Sequence, residues 1–226
     1  MSELDPERRR SIARFCLARL KEGGGFAATP HLPPTIEDTR FAVKILDLLK
    51  APFPQEETIA FLKAKAQRPL SPRLAFFVKE TLELLGVRFR PPVEITHTTV
   101  LEEQFYLLRL GLRVREVPPL PASPTVKDLY LYAALRPKEA KNYVPYVLAS
   151  QNPDGGFGFY PGTTSFLENT YYAFSFLRRF GYEPRDVEGL RAYVLACWRR
   201  EAFARSPKGV PFLDATCYAL EILVAL

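Results

Sequence analysis

The amino-acid sequence predicts an all-α fold of tandem helical hairpins, and three features carry that expectation. Between Pro- and Gly-rich breaks the apolar residues recur at helical spacing; Ile36, Val43, Leu46 and Leu49, for instance, share one face. No stretch shows the alternation of a half-buried strand. A short motif also returns at multiples of a common interval, as helical arrays require.

Taken in order, helices are expected over 5–21, 35–49, 55–67, 71–86, 97–112, 125–136, 138–150, 166–181, 185–204 and 212–225, which pair into five hairpins. The first stops at Lys21, where Gly23-Gly24-Gly25 lets the backbone turn left-handed. Another stops at Gln151, before Asn152-Pro153-Asp154-Gly155-Gly156. Each loop opens a helix whose first turn holds an acid, Glu37 or Glu168, that can satisfy free N–H groups and meets the positive end of the helix dipole. Tyr193, Leu195, Ala196 and Trp198 belong to a later helical block.

The repeat is explicit in Gly24-Gly25-Phe26 followed by Glu37-Asp38-Thr39-Arg40-Phe41-Ala42, and in Gly155-Gly156-Phe157 followed by Glu168-Asn169-Thr170-Tyr171-Tyr172-Ala173. Thr follows the first Gly of each pair by fifteen residues. A third copy, Asp214-Ala215-Thr216-Cys217-Tyr218-Ala219, keeps the acid, the aromatic and the Ala, and all three copies place a Leu seven after Thr (Leu46, Leu177, Leu223). Its glycine loop is reduced to Gly209. The threonines lie 131 and 46 residues apart, so three periods of about 44 fill the longer gap. One degenerate copy is expected at Asp128-Leu129-Tyr130-Leu131-Tyr132-Ala133, with Tyr130 replacing Thr, and another within 71–86.

A chain of 226 residues, 47% hydrophobic and 25% charged, is long enough to close one core, so a single domain spanning 1–226 is expected. No apolar run reaches the roughly 18 residues of a membrane span, and Arg8, Arg9 and Arg10 are not followed by an apolar block, which points to a cytoplasmic protein without a transmembrane segment. Cys16, Cys197 and Cys217 form no Cys-x-x-Cys pair and read as buried thiols. The net charge of +6 is spread among acids, and no nucleic-acid motif is present; no nucleic-acid partner is expected. His31 and His97 have no paired ligand at metal-binding spacing.

The succession of Gly-Gly-Phe, a Pro/Gly loop, Glu-Asp/Asn-Thr, aromatic, Ala and Leu is similar to the repeat of protein prenyltransferase β subunits and of squalene or oxidosqualene cyclases. Residues 23–49, 151–181 and 209–226 carry the resemblance. It implies an α-α toroid, two concentric rings of alternating outer and inner helices around an apolar centre, here shortened to about five hairpins. Such a ring is open, tightened or completed by a protein partner. In the prenyltransferases an Asp-x-Cys-Tyr and a His before Thr-Cys-Tyr supply zinc ligands; here Thr170 and Ala215 stand at the Cys and His positions. The resemblance therefore implies no metal and no cofactor. It leaves Glu168, Thr170, Tyr171, Phe174, Leu177 and Asp214 as candidate ligand-binding residues, with Tyr171 and Phe174 at aromatic positions of the family segment and Thr170 and Leu177 on the same helical face.

Thr35-Ile36-Glu37-Asp38-Thr39 also resembles the Asp-x-Asp-Asp-Thr of class II cyclases, whose central acid protonates an alkene or epoxide, which makes Glu37 and Asp38 the candidate catalytic pair. A proton donor of that kind must be held neutral by burial or a second carboxylate, whereas a helix amino terminus acts in the opposite sense. Two functional classes are thus expected. One is a divergent repeat protein binding an apolar, isoprenoid-like small molecule or a protein partner without zinc chemistry. The other is an isoprenoid-directed cyclase or transferase using Glu37/Asp38 or a partner's groups. A glycosidase would need two of Glu37, Glu168 and Asp214 to flank a sugar.

Overall fold

In the computed structural model the described residues are 4–94, 100–114 and 116–226, and secondary structure among them is helical apart from isolated β-bridges. The chain divides into two compact units, 2–98 with 106–114, and 99–105 with 115–226; the border falls within helix α5, Leu101–Arg109. His97 and the expected start of that helix lie outside the described residues.

The first unit contains α1 (Pro6–Leu17), α2 (Ile36–Leu49), α3 (Gln55–Lys65) and α4 (Pro72–Leu84). Helix α2 packs on α1, α3 and α4, burying Ile12, Phe15, Cys16, Ile45, Leu46, Leu62 and Val78. Asp5 starts α1 by accepting the Arg8 N–H at 2.8 Å, with Pro6 at a position where its missing N–H costs nothing. Lys50, at φ 54°, ends α2 in a left-handed cap. Arg40 of α2 donates to the Glu80 carboxylate of α4 at 2.5 Å.

The second unit contains α6 (Val126–Leu135), α7 (Pro137–Ala140), a 3₁₀ turn at Lys141–Tyr143, α8 (Val144–Ala149), α9 (Leu167–Arg179), α10 (Val187–Ala196) and α11 (Leu213–Ala225). Helix α9 packs on α6, α8 and α11, and α10 on α11. Two expectations are corrected. The helix expected over 138–150 is interrupted by the 3₁₀ turn, and the one expected over 185–204 stops at Ala196, because 198–204 forms the loop of the third repeat copy.

The repeat threonines have a common structural task. Thr39, Thr170 and Thr216 are fully buried, and each hydroxyl accepts the N–H of a phenylalanine thirteen residues earlier: Phe26 at 2.9 Å, Phe157 at 3.0 Å and Phe203 at 3.1 Å. Each donates its own proton one helical turn back, to the carbonyls of Thr35, Phe166 and Phe212. Those phenylalanines, also fully buried, accept backbone N–H bonds from Thr35, Phe166 and Phe212. The threonine is thus a latch that fastens an incoming loop to the first turn of a helix. Replacing Thr39 or Thr216 by Val keeps the shape but orphans a buried N–H, so each substitution is expected to lower unfolding free energy by about 1–3 kcal/mol. Urea denaturation checks this; a loss near zero in both would deny the latch its role.

The third copy corrects the sequence reading. Its counterpart of Gly155-Gly156-Phe157 is Glu201-Ala202-Phe203, while Gly209 belongs to a later turn closed by its N–H to Ser206. The bridge here runs from Trp198 to Phe203, whereas it runs from Gln151 to Phe157 in the second copy, so the turn is one residue shorter. The first two copies need glycine for contact: Gly24 (φ +88°) and Gly155 (φ +87°) lie so near the backbones of Glu57 in α3 and Gly189 in α10 that an added Cβ would sit 2.2 and 2.0 Å from their carbonyl carbons. Glu201 is exposed.

The degenerate copies are also resolved by their caps. Thr125 caps α6 reciprocally with Asp128, whereas Thr35 caps α2 by accepting the Asp38 N–H while its own N–H goes to the Phe26 carbonyl. Counting from the cap, the latch position is Leu129, not Tyr130, and in α4, capped by Ser71, it is Ala75; both are fully buried. An apolar side chain replaces the hydroxyl in both.

Candidate functional site

Three helix starts are held level in the second unit. The first N–H of α6, from Val126, bonds to the Phe159 carbonyl at 2.8 Å, and the first of α9, from Leu167, to the Arg205 carbonyl at 2.9 Å. Each acceptor lies two residues beyond a latched phenylalanine, so the loop that starts α9 also fixes the start of α6, and the loop that starts α11 fixes that of α9. Residues one and two positions after the latch site consequently meet at one level: Tyr130 from α6, Tyr171 and Tyr172 from α9, and Tyr218 from α11.

Their rings form a continuous cluster. Tyr171 stacks on Tyr218 with centroids 4.5 Å apart, Tyr130 lies 5.1 Å from Tyr172, and Tyr171 lies 6.3 Å from Tyr130. Phe105 of α5 adds a ring 5.8 Å from Tyr130. All four tyrosines are half-buried. Burial, reinforced by the nearby Glu221 carboxylate that accepts the Tyr171 O–H, pushes that hydroxyl well above the ordinary tyrosine value. Burial likewise raises Tyr218, helped by Tyr172 and by the negative charge of Glu168. These groups are neutral phenols at physiological pH.

Charged side chains rim the cluster. Glu168, in the first turn of α9, is exposed and makes no hydrogen bond or ion pair among the described residues. Asp214, in the first turn of α11, is paired with Arg205 at 2.7 Å and accepts the Ala215 N–H at 2.7 Å. The Arg205 guanidinium lies 4.2 Å from the Phe212 ring. Lys127 lies 3.4 Å from Glu102 and 5.8 Å from the Tyr172 ring centroid.

Of the residues singled out in the sequence, Glu168, Tyr171 and Asp214 belong to this region. Thr170 forms the latch. Phe174 and Leu177 follow Thr170 by four and seven positions and share its buried face, 5% and 0% exposed, while Tyr171 is turned by about 100° into the ring cluster. Glu37 and Asp38 belong to the first unit. There Glu37 is ion-paired with Arg73, and Asp38 accepts the Thr35 hydroxyl at 2.6 Å in the helix cap. Tyr130, Tyr172, Tyr218, Glu221 and Arg205 were not among the sequence candidates. An aromatic two residues after Thr in all three strong copies was the available signal for Tyr172 and Tyr218.

Asn169 occupies the position at which Asp38 and Asp128 complete their caps, but its cap partner has become Phe166. It is 2% exposed and its amide nitrogen has no hydrogen-bond partner among the described residues.

Comparison with protein families and with curated proteins bears on this architecture. No curated protein matches the chain. The family model of the prenyltransferase alpha-alpha toroid domain matches residues 1–69 and 125–211, more than half of the chain, covering the first two latched loops and the α6, α9 and α10 segments. Thr216 lies beyond the matched range, yet its hydroxyl repeats the latch of the other two. With its helical architecture and repeated loop-to-helix joint, the chain belongs to the prenyltransferase alpha-alpha toroid domain family.

Proposed function

We propose that the domain binds an apolar, isoprenoid-like small molecule at the tyrosines of α6, α9 and α11, without the zinc chemistry of protein prenyltransferases. The observation that carries this reading is the half-buried state of Tyr130, Tyr171, Tyr172 and Tyr218, four rings supplied by three helices and bordered by carboxylates. Aromatic walls with a few convergent polar groups are the common composition of a small-molecule site. Glu168, Tyr171 and Asp214 contribute to it directly, and Phe174 and Leu177 support it from the buried side of α9.

The donor set does not suit a zinc ion. Ala215 has no donor, the Thr170 hydroxyl is engaged in the latch, and Asp214 is paired with Arg205. A structural or catalytic zinc takes several ligands from Cys, His and carboxylate. Among the described residues no three His, Cys, Asp or Glu are grouped as such a site would need.

Titration calorimetry with farnesol tests the proposal. Wild type is expected to bind, and Tyr171→Ala to weaken binding about tenfold, as loss of a large aromatic contact implies. Circular dichroism establishes that the variant is folded at the temperature used. No heat with wild type would reject the isoprenoid class; unchanged affinity in the variant would remove Tyr171 from the site.

A further inference from the structure

One buried donor in the second unit has nothing to bond. The Asn169 amide nitrogen is enclosed, in a residue 2% exposed, and meets no acceptor among the described residues. Leaving such a group unbonded forfeits its hydration without return, so native proteins seldom keep one without a use for it. We propose that Asn169 and the first turn of α9 receive an uncharged oxygen of the ligand, that of an isoprenoid alcohol, ether or carbonyl compound. The proposal rests on the apolar tyrosine site and adds the group that orients its occupant.

The register of α9 aims the amide. Helical side chains tilt toward the helix start, and at this same third position Asp38 and Asp128 reach back to Thr35 and Thr125. In α9 the residue to be reached is Phe166, whose side chain has no polar atom and whose N–H already bonds to the Phe157 carbonyl at 3.2 Å. The backbone beside the amide is open as well. The Thr35 and Thr125 hydroxyls accept the third N–H of α2 and α6, and in α11 Asp214 accepts that of Ala215. In α9 the Leu167 N–H goes to Arg205 and the Thr170 N–H to Phe166, while those of Glu168 and Asn169 meet no acceptor among the described residues. Two backbone donors therefore accompany the enclosed amide at the positive end of a 13-residue helix.

Tyr172 ties this turn to the rings. It follows Asn169 by three positions, which makes the two neighbours on the helix surface, and its ring lies 5.1 Å from that of Tyr130. A chain held among the tyrosines can thus end in an oxygen at the helix start. That oxygen is neutral because the enclosed donor is neutral. Shutting in an anion beside a single amide would cost far more hydration than the amide returns, and Glu168 carries a like charge in the same turn.

Three molecules of one skeleton test this: farnesol, the hydrocarbon farnesene and the anion farnesoate, each titrated by calorimetry into the intact chain below its solubility limit. Wild type is expected to bind farnesol about tenfold more tightly than farnesene, as one well-placed neutral hydrogen bond implies, and farnesoate less tightly than farnesol. Asn169→Leu, of nearly the same shape, should bring the farnesol-to-farnesene ratio close to one while keeping farnesene affinity. Asn169→Ala reads the same ratio if the leucine variant does not fold. A preference for farnesol retained in the variant would overturn the role of Asn169, and tightest binding of farnesoate would overturn the neutral oxygen. Equal binding of farnesol and farnesene by wild type would leave the apolar site standing and remove its donor. Binding of none of the three would reject the apolar site together with it.

Discussion

Gly155→Ala is expected to destabilise the protein by about 4 kcal/mol or more, the range reserved for substitutions that break a tightly constrained contact. Two costs combine. At φ +87° an L-residue is strained by roughly 1–2 kcal/mol. The new methyl would also sit 2.0 Å from the carbonyl carbon and oxygen of Gly189, which are backbone atoms of α10 and have no rotamer by which to move. Gly162 provides the control: its φ of +83° imposes a comparable backbone strain, but nothing lies within 4 Å of an added Cβ. Gly162→Ala should therefore lose only about 1–2 kcal/mol. Urea midpoints of both variants separate the terms, and equal losses would show that the approach to α10 contributes nothing.

Phe174→Ala is expected to act on stability, by about 3–5 kcal/mol, the cost of emptying a buried aromatic position. The side chain is 5% exposed and lies on the Thr170 and Leu177 face of α9. If it were instead a wall of the ligand site, its removal would alter affinity while the unfolding midpoint stayed near that of wild type. Chemical denaturation and farnesol calorimetry on the same protein distinguish the outcomes. Retained farnesol affinity in a destabilised but folded variant is the result that the buried geometry predicts.

The helices are legible in the sequence because their starts and stops are chemical. Thr35, Ser71 and Thr125 are side-chain caps, and the glycines that follow the first helix permit a turn unavailable to other residues. Tyr193 through Trp198 misled for a related reason. Their apolar composition continues past Ala196, but half-buried Trp198 packs on buried Phe203 in a loop that bridges back on itself, and composition alone does not distinguish this from a further helical turn. The offset between Tyr130 and Leu129 has a similar origin. The motif compared residue types, whereas register is set by the distance from the cap.

The proposed site was legible only in part. Glu168, Tyr171 and Asp214 stand beside repeat threonines and could be found from the motif. Tyr130, Glu221 and Arg205 reach the same region from α6, the third turn of α11 and a loop, and the starts of α6 and α9 are set there by the Val126 and Leu167 backbone bonds. Those bonds involve main-chain atoms whose positions carry no residue signature. Thr170 misled in the opposite direction. It occupies a position where related enzymes carry a metal ligand, but its own hydroxyl is enclosed in the latch.

The short turn of the third copy also has a consequence for how this fold can acquire new sequence. At Gly155 the chain is pressed against α10, and lengthening the loop there would have to displace a helix. Between Arg200 and Glu201 the side chains are exposed, while the bond that closes the copy, Phe203 N–H to Thr216, lies on the far side of Ala202. Added residues at that turn can extend outward and leave the latch in place, so the same architectural unit that forbids insertion in one copy provides a point of growth in another.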